Sequence, residues 1–556
     1  MCQRLVRTPR FAFRKRTLRL AHHTSRTALG TSHIARCALP TTAFASVLIC
    51  ASTYYPAFMS KNAYCMLVAA ITACGGLLFG YDVGVISGAL LFLGPKFGLS
   101  DHAQEVVTSA VLVGSFIGAL GAGWFTRRFG GRVANILAGG IFIIGSLASA
   151  RSDSAQVLAL SRLLVGLGIG ITSVAAPLYV AEISPPHRRG LMITLFQLFI
   201  TIGILASYII DLAVAPHWRL MFGIGALPGI VLAVGMWMMP SSPRWLAGRG
   251  RIVEAQSVLD RTLPLEEAKR AMHDIQADLE SQKSAPQWWQ VYRSHPVTAT
   301  GAQLQGWPAF RSRAARRALF ITASLAIFQQ FIGINSIIYY APKIFQKAGF
   351  VDNSSALWAT IVVGFVNVIA TFITIGMVDR VGRRALLVWG LTGMIASLAI
   401  LGFAFMSFDA AQVAQTIPAA VANASGDVLS PRDLPHTQEG MLTLAWLTLL
   451  CIVAYIACFA FSMGPLVWVL IGEMFPLQAR GSGNAIATGA NYFANFMVGA
   501  TFLTMLSKFG AANTFLLFAS IAVLNLLFVL FFLPETAGRS LEEIERQLGE
   551  ATPAEA

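Results

Sequence analysis

Twelve long stretches without Asp, Glu, Lys or Arg dominate this sequence. A helix that crosses a bilayer needs about 20 mostly apolar residues, and each stretch approaches or exceeds that length. None alternates apolar and polar residues with period two, which argues against a β-barrel. The first leads into Asp82 and continues to about residue 93, and the others are 106–126, 133–150, 163–181, 190–210, 220–243, 318–342, 353–378, 385–408, 440–472, 481–507 and 509–534.

Composition supports a membrane protein. Of the 556 residues, 56% are hydrophobic and only 12% are charged, whereas soluble domains carry about 25% charged residues. Six stretches precede the charged segment 244–317 and six follow it. We therefore expect an all-α membrane protein with twelve transmembrane helices in two six-helix halves, joined by a small cytoplasmic helical connector.

Basic residues occur in alternate links between the stretches. The links after the second and fourth stretches carry Arg127, Arg128 and Arg132, and Arg188 and Arg189. Cytoplasmic loops are enriched in Lys and Arg, so these links predict that both ends of the twelve-helix core lie in the cytoplasm and that the chain is a multi-pass protein of the cell (inner) membrane.

The formal net charge of +15 does not indicate nucleic acid as a partner. Residues 1–58 hold nine Lys and Arg and no acidic residue, and the remaining excess follows the loops. Seven scattered cysteines show no ligand spacing, so we expect no metal site and no cofactor. The expected partners are the lipid bilayer and the transported species, with the protein as a monomer.

The first sixty residues differ from the rest of the chain. They are rich in Arg, Ser and Thr without acids, which is typical of transit peptides, and 38–60 is a weak apolar run broken by two prolines. We favour translation from Met59, with a disordered extension as the alternative. The predicted divisions are the extension 1–60, the halves 61–243 and 318–534, the connector 244–317 and a cytoplasmic tail 535–556.

Short charged motifs recur in corresponding links of the two halves. "EISPPHRRG" (182–190) and "EMFPLQARG" (473–481) share the spacing Glu-x-x-Pro-x-x-x-Arg-Gly, and "GWFTRRFGGR" (123–132) has its counterpart in "GMVDRVGRR" (376–384). Parallel repeats of this kind are a transporter arrangement, with the substrate site between the halves. We expect their charges to form a cytoplasmic latch between the halves that bridges the ends of adjacent helices, through pairs such as Asp379 with Arg383, Glu182 with Arg189 and Glu473 with Arg480, together with Arg132.

Together with these links, several longer motifs resemble one known family. They are "GGLLFGYDVGVISGAL", "SRLLVGLGIGITSVAAPLYVAEISP", "PSSPRWL", "QQFIGINSIIYYAPKIF", "GPLVWVLIGEMFP" and "PETAGRSLEEIE". In this order, from about residue 64 to 547, they are similar to the sugar porter family of the major facilitator superfamily, and closest to bacterial galactose– and arabinose–proton symporters.

The resemblance gives Asp82 a role. A carboxylate in a long apolar run is costly and marks a functional site. The resemblance implies that Asp82 faces Arg162 and that protonation of Asp82 releases this pair, which would couple proton binding to helix rearrangement. A static ion pair between the first and fourth helices is the alternative.

Polar residues inside the stretches are candidates for sugar binding, because sugar hydroxyls need donors and acceptors and the ring needs an apolar or aromatic face. The spacing of Gln329, Gln330 and Asn335 favours a broken helix if all three point inward. According to the resemblance, seven residues occupy sugar-contacting positions, with Asn367 the least firmly matched, and Tyr339 and Tyr340 are gate residues. The sugar set is Gln197, Gln329, Gln330, Asn335, Asn367, Trp468 and Asn491.

The expected function is therefore secondary active transport of a monosaccharide, a hexose or pentose such as galactose, arabinose, glucose or xylose, into the cell with protons. The principal alternative is an uncoupled facilitator. A sugar sensor would need a signalling module, and the tail after "SLEEIERQLGE" is short. A membrane enzyme or an ATP-driven pump would need a nucleophile–base pair or a P-loop, and neither motif is present.

Overall fold

The computed structural model describes residues 60–184, 189–283, 310, 312–350, 352–423, 435–475, 479–536 and 541–549. Within these ranges the regular secondary structure is helical, without strands. The predictions for residues 1–59, including the start at Met59, lie outside the described residues.

The first half consists of six helices, two of which together form its last span. Their bounds are α1 Lys61–Phe97, α2 Asp101–Ala150, α3 Ala155–Ile183, α4 Arg189–Val214, α5 Trp218–Ile224 and α6 Ala226–Met238. Helix α2 contains the second and third predicted spans. Gly130, with φ 86° and ψ 156°, breaks the helical backbone between them, so the expected loop is a kink at a single residue.

Three short helices form the connector. They are α7 Pro243–Gly248, α8 Ile252–Thr262 and α9 Leu265–Lys283. Apolar residues of all three, such as Leu246, Leu259 and Met272, form a small core of their own. The connector also contacts the start of α1, where the Lys61 ammonium donates to the Leu263 carbonyl at 2.6 Å.

The second half follows residue 312. Its helices are α10 Arg313–Phe331, α11 Ile334–Ala348, α12 Asn353–Val381, α13 Arg383–Asn423, α14 Pro435–Phe461, α15 Met463–Glu473, α16 Arg480–Gly499, α17 Phe502–Lys508 and α18 Gly510–Phe532, and α19 Leu541–Gly549 lies in the tail. Three predicted spans are thus interrupted helix pairs: α10 with α11, α14 with α15, and α16 with α17.

By length and composition, ten segments of the described chain are suited to cross a membrane. One is the 50-residue α2, which supplies two spans. The pair α16–α17, rich in Gly, Asn and Ser, is not among the ten and occupies the position of the eleventh predicted span. The prediction of an all-α fold with twelve transmembrane helices is confirmed.

The two halves contact each other through paired helices, chiefly α4 with α12, α2 with α16 and α1 with α11. We call the end of the bundle that carries Arg132, Arg383 and Arg384 the basic end, and the end at which α2, α3 and α12 begin the opposite end. Large apolar side chains such as Ile144, Trp358 and Phe531 remain more than half exposed on the outer surface, as expected for a surface that faces lipid.

Candidate functional site

Asp82 and Arg162 form a bidentate ion pair inside the first half. Arg162 Nη1 and Nη2 donate to Asp82 Oδ1 and Oδ2, each at 3.2 Å. Arg162 is fully buried and Asp82 is 3% exposed. A planar guanidinium matches a carboxylate in this fork geometry, so the pair locks α1 to α3 in one register.

The remaining contacts of Arg162 hold it in place. Its Nε donates to the Val107 carbonyl of α2 at 3.1 Å, and its Cζ lies 5.7 Å from the centre of the Phe222 ring of α5. The pair is therefore surrounded by four helices of one half. A buried pair costs desolvation free energy that only good geometry recovers, and loss of either partner leaves the other group without compensation.

Four of the predicted sugar-binding amides form one hydrogen-bonded cluster in the second half, which we call the amide cluster: Gln329, Gln330, Asn335 and Asn491. Asn335 Nδ2 donates to Gln330 Oε1 at 2.7 Å, and Gln330 Nε2 donates to Asn491 Oδ1 at 3.2 Å. Asn491 Nδ2 donates to Gln329 Oε1 at 2.7 Å. The cluster joins α10, α11 and α16.

Backbone carbonyls anchor the amide cluster. Gln329 Nε2 donates to the Met463 carbonyl at 2.7 Å, where α15 begins, and Asn491 Nδ2 donates to the Ala326 carbonyl at 3.0 Å. Gln329, Gln330 and Asn491 are at most 6% exposed, whereas Asn335 is half-buried. A set of amides that bond to one another can exchange these bonds for sugar hydroxyls, because each amide offers both donors and an acceptor.

The helix break predicted between Gln330 and Asn335 is present. Helix α10 ends at Phe331 and α11 begins at Ile334. Gly333 between them has φ 88°, and a Cβ there would lie 2.4 Å from the Phe518 ring. The break frees the Ile332 carbonyl, which accepts a hydrogen bond from the Tyr455 hydroxyl at 2.9 Å. Glycine is therefore required at 333 by both backbone and packing.

The other three sugar candidates lie outside the amide cluster. Gln197 is half-buried on α4 in the first half, and Asn367 is 7% exposed on α12. Trp468 is half-buried on α15, five residues after the Met463 carbonyl that anchors Gln329. The structure thus joins four of the seven candidates by hydrogen bonds and leaves three separate in this conformation.

Both predicted gate tyrosines are fully buried on α11. The Tyr340 hydroxyl donates to the Gly499 carbonyl at 3.2 Å, and its ring stacks on Phe502 with 5.4 Å between centroids. Tyr339 lies edge-on to Tyr340. These contacts pack α11 against α16 and α17 toward the opposite end.

The charged motifs at the basic end form networks within each half. Arg132 donates to the carbonyls of Met236 and Trp237, where α6 ends, and basic side chains stabilise helix C-termini in this way. Glu182 lies beside Ser242 and Arg244. These contacts lie within the first half and the start of the connector.

In the second half, Arg383 pairs with Glu473 at 3.1 Å and thereby links α13 to α15. The Glu535 carboxylate accepts the backbone N–H of Arg383 and of Arg384, at 2.9 and 3.0 Å. The pairing Arg383–Glu473 differs from the predicted pairs, and it lies inside one half. The side chains of three predicted latch residues are outside the described residues: Arg189, Asp379 and Arg480.

Sequence reasoning missed three polar groups near these sites. Tyr492, next to Asn491, donates to the Ser173 hydroxyl of α3 at 2.8 Å and so joins the two halves. Glu105 is 1% exposed and accepts the backbone N–H and hydroxyl of Thr504 across the halves, at 2.6 and 2.8 Å. Asp211 is fully buried on α4. Glu105 and Asp211 each adjoin an apolar run, and that position was the available signal.

A buried carboxylate–guanidinium pair in one half and an amide cluster beside a broken helix in the other define a membrane transporter of the major facilitator type. The sugar (and other) transporter family matches residues 68–548, and the chain belongs to this family.

Among characterised proteins, the chain is 38% identical over 493 residues to the galactose-proton symporter of Escherichia coli (strain K12), covering 88% of the chain and 95% of that protein. It is 36% identical over 488 residues to the arabinose-proton symporter of the same strain, covering 87% and 93%. Among solved structures, the proton:xylose symporter bound to 6-bromo-6-deoxy-D-glucose matches with a TM-score of 0.68 and 28% identity, over 88% of this chain and all of that one.

Proposed function

We propose that this protein carries a monosaccharide, a hexose or pentose, across the membrane together with protons by alternating access between its two halves. The observation that carries the proposal is the fully buried Asp82–Arg162 pair, with both 3.2 Å hydrogen bonds satisfied. A pair of this kind binds a proton only when it separates, so proton uptake and helix movement become one event.

Asp82 is the proton-binding group in this proposal, and Arg162 stabilises its ionised form. A proton on Asp82 removes the charge that holds the guanidinium, which frees α1 to move relative to α3. A static pair would serve only to brace these helices. The relatives named as proton symporters support the coupled reading.

The sugar would bind at the amide cluster. Gln329, Gln330, Asn335 and Asn491 supply hydrogen-bond donors and acceptors, and Trp468 supplies an aromatic face on the adjoining helix. Gln197 and Asn367 would join this set when the halves close on the sugar. Tyr339 and Tyr340 would act as the gate, since they pack the broken helix against the opposite end.

The opposite end is closed in this conformation by contacts between the halves, namely Glu105 with Thr504 and the Tyr208 hydroxyl with the Ile338 carbonyl. With the basic end in the cytoplasm, according to the positive-inside rule, this state would face inward. The protein would then be a monomer of the inner membrane, without enzymatic activity, in which the halves 61–243 and 318–534 move relative to each other and α1 also shifts within the first half.

Charges at the basic end would regulate this movement. The described contacts of Arg132, Glu182, Arg383 and Glu473 brace helices within a half, and we propose that a latch between halves forms from the same residues when the basic end closes. Exposed ion pairs contribute about 0–1 kcal/mol each, which suits contacts that break in every cycle.

The decisive experiment measures proton movement on addition of sugar to de-energised proteoliposomes that contain the full chain. Galactose, arabinose, glucose and xylose are tested in turn, beside Asp82→Asn and the control Asp153→Asn. The Asp153 side chain is 91% exposed and pairs with Arg219 at the surface, so its loss removes a carboxylate outside the buried site.

For the parent and the Asp153 variant, we expect at least one sugar to draw protons into the vesicles. Asp82→Asn should exchange the same sugar without net proton movement. Sugar equilibration without proton movement in the parent would establish an uncoupled facilitator and a structural role for Asp82. Failure to exchange any sugar of the panel would refute monosaccharide transport.

A further inference from the structure

A second carboxylate is buried in the same half, separate from the Asp82–Arg162 pair. Asp211 lies on α4, three residues before that helix ends at Val214, and has no exposed surface. Apart from a contact with the backbone N–H of Gly88 on α1, neither carboxylate oxygen has a hydrogen-bond partner among the described residues. A Cβ placed on Gly88 of α1 would lie 2.4 Å from Asp211 Oδ2, so the carboxyl group packs directly on the α1 backbone.

The neighbouring hydroxyls do not satisfy this carboxyl group. Tyr81 and Tyr208 lie within electrostatic range of Asp211. The Tyr81 hydroxyl donates to the Met221 carbonyl at 2.6 Å, and the Tyr208 hydroxyl donates to the Ile338 carbonyl at 3.2 Å. Both donors are therefore engaged elsewhere.

The cations on the surrounding helices are engaged as well. Arg162 of α3 is bonded to Asp82 of α1. Arg219 of α5 pairs with Asp153, and Lys343 of α11 donates to Gln104. Within the described part of the chain, no Lys, Arg or His forms an ion pair with Asp211.

An ionised carboxylate in this position would be far less stable than a neutral one. Burial of a single uncompensated ion costs much more free energy than burial of a neutral polar group. The pocket is shaped by the backbone of α1 and offers no counter-charge. The geometry thus suits the neutral acid.

We propose that Asp211 is a second proton-binding site. It must hold a proton for α1 and α4 to pack against each other at the opposite end. Its role in closure rests on the proposed function; its occupancy by a proton does not. Because Asp211 lies near the end of α4, separation of α1 from α4 would expose it at the opposite end, where an ionised carboxylate is stable in water.

This site differs from Asp82 in what it does. When Asp82 loses its proton, it binds Arg162. Ionised Asp211 would have no cation to bind among the described residues, so it can ionise only when hydrated. A proton that binds and leaves Asp211 from the same side adds nothing to the number of protons transported. It makes closure of the opposite end depend on the pH at that end.

The first test detects the proton on Asp211 directly and does not depend on transport activity. Infrared spectra of the full chain in liposomes at neutral pH should contain the C=O stretching band of a protonated carboxylic acid, and Asp211→Asn should lose it. Asp153→Asn should retain it, because Asp153 is exposed and ordinary aspartates are ionised above about pH 4. A band that shifts when the parent carries isotope-labelled aspartate, and persists in Asp82→Asn, belongs to an aspartic acid other than Asp82, and the absence of such a band would overturn the proposal without mutation of Asp211.

The second test measures sugar counterflow against pH. Sugar counterflow by the parent protein should slow as the pH rises through the range in which the infrared band disappears. Closure requires a proton on Asp211, and binding that proton costs more free energy at higher pH. Asp211→Asn, which resembles the neutral acid, should not show this fall, while the Asp153 variant follows the parent. An unchanged band in Asp211→Asn, or a counterflow profile identical to the parent, would overturn the proposal. Absence of counterflow in the parent would count against the proposed function alone, because the infrared result stands by itself.

Discussion

Removal of Asp82 or of Arg162 should destabilise the protein in two distinguishable ways. In Asp82→Asn, Arg162 remains fully buried and charged, because arginine does not lose its proton in proteins. It keeps its bond to the Val107 carbonyl and its contact with the Phe222 ring but loses its counter-charge. Loss of one partner of a buried pair costs about 3–5 kcal/mol, roughly a hundredfold to a few thousandfold in the unfolding equilibrium.

In Arg162→Gln the remaining group can neutralise itself. Asp82 then folds with a proton bound, whereas an ordinary unfolded aspartate is ionised above about pH 4. The folded state therefore binds more protons than the unfolded state, and stability falls as pH rises, by about 1.4 kcal/mol per pH unit. Between pH 5 and pH 7 the cost of this variant should grow by about 3 kcal/mol, while the cost of Asp82→Asn stays constant over that range.

Steric trapping in bicelles measures these unfolding free energies at both pH values. The double variant Asp82→Asn/Arg162→Gln should recover part of the loss and show no pH dependence, since neither charge remains. Asp153→Asn is the control for removal of an exposed carboxylate. A cost for Arg162→Gln that is equal at both pH values would show that Asp82 does not take up a proton when its partner is absent, and the coupling role of Asp82 would fail with it.

Three further results are expected. Asn491→Ala removes bonds that join two helices of the amide cluster and should weaken sugar binding about tenfold to a hundredfold, since buried groups left unpaired cost about 1–3 kcal/mol; Asn513→Ala, on the exposed surface, should leave affinity unchanged in the same counterflow titration. Gly333→Ala forces a side chain into a left-handed backbone beside an aromatic ring and should lower thermal stability and abolish transport, whereas Gly376→Ala, at an exposed helical position with open space, should stabilise by about 0.5–1 kcal/mol. Glu105→Gln replaces one acceptor oxygen with an NH₂ donor that faces the donors of Thr504 on α17. The opposite end should then open more often, which increases the labelling of cysteines introduced there. Unchanged labelling would show that Glu105 does not contribute to closure.

The fold could be predicted because each membrane-spanning segment is recognisable from its own residues. A run such as 318–342 is apolar enough to cross the bilayer whatever its neighbours do, and lipid leaves the backbone no alternative to a helix. The break at Gly333 was also accessible, since amides five residues apart cannot share one face of a regular helix. The kink at Gly130 was not, because a glycine in a basic link is equally compatible with a loop and with a break inside one helix.

The residues of the candidate site could be predicted, but the contacts between them could not. Gln329 and Asn491 were recognised as intramembrane amides, but their bond depends on how α10 and α16 pack, and sequence spacing contains no information on that contact. The partner of Arg383 is Glu473, 90 residues away, although Asp379 is the acid closest in sequence. Asp211 was overlooked because an acid at the end of a run is indistinguishable from a boundary residue until its burial is known.

The contacts between the connector and the start of α1 constrain how the chain is assembled. The Lys61 ammonium and the Cys65 thiol bond to carbonyls of Leu263 and Thr262, about 200 residues later in the chain. Helix α1 therefore acquires these two partners only after the whole first half has been synthesised. Co-expressed fragments cut within 284–309 keep both contacts in one polypeptide and should reassemble, whereas a cut at 240–243 divides them between two polypeptides and should not.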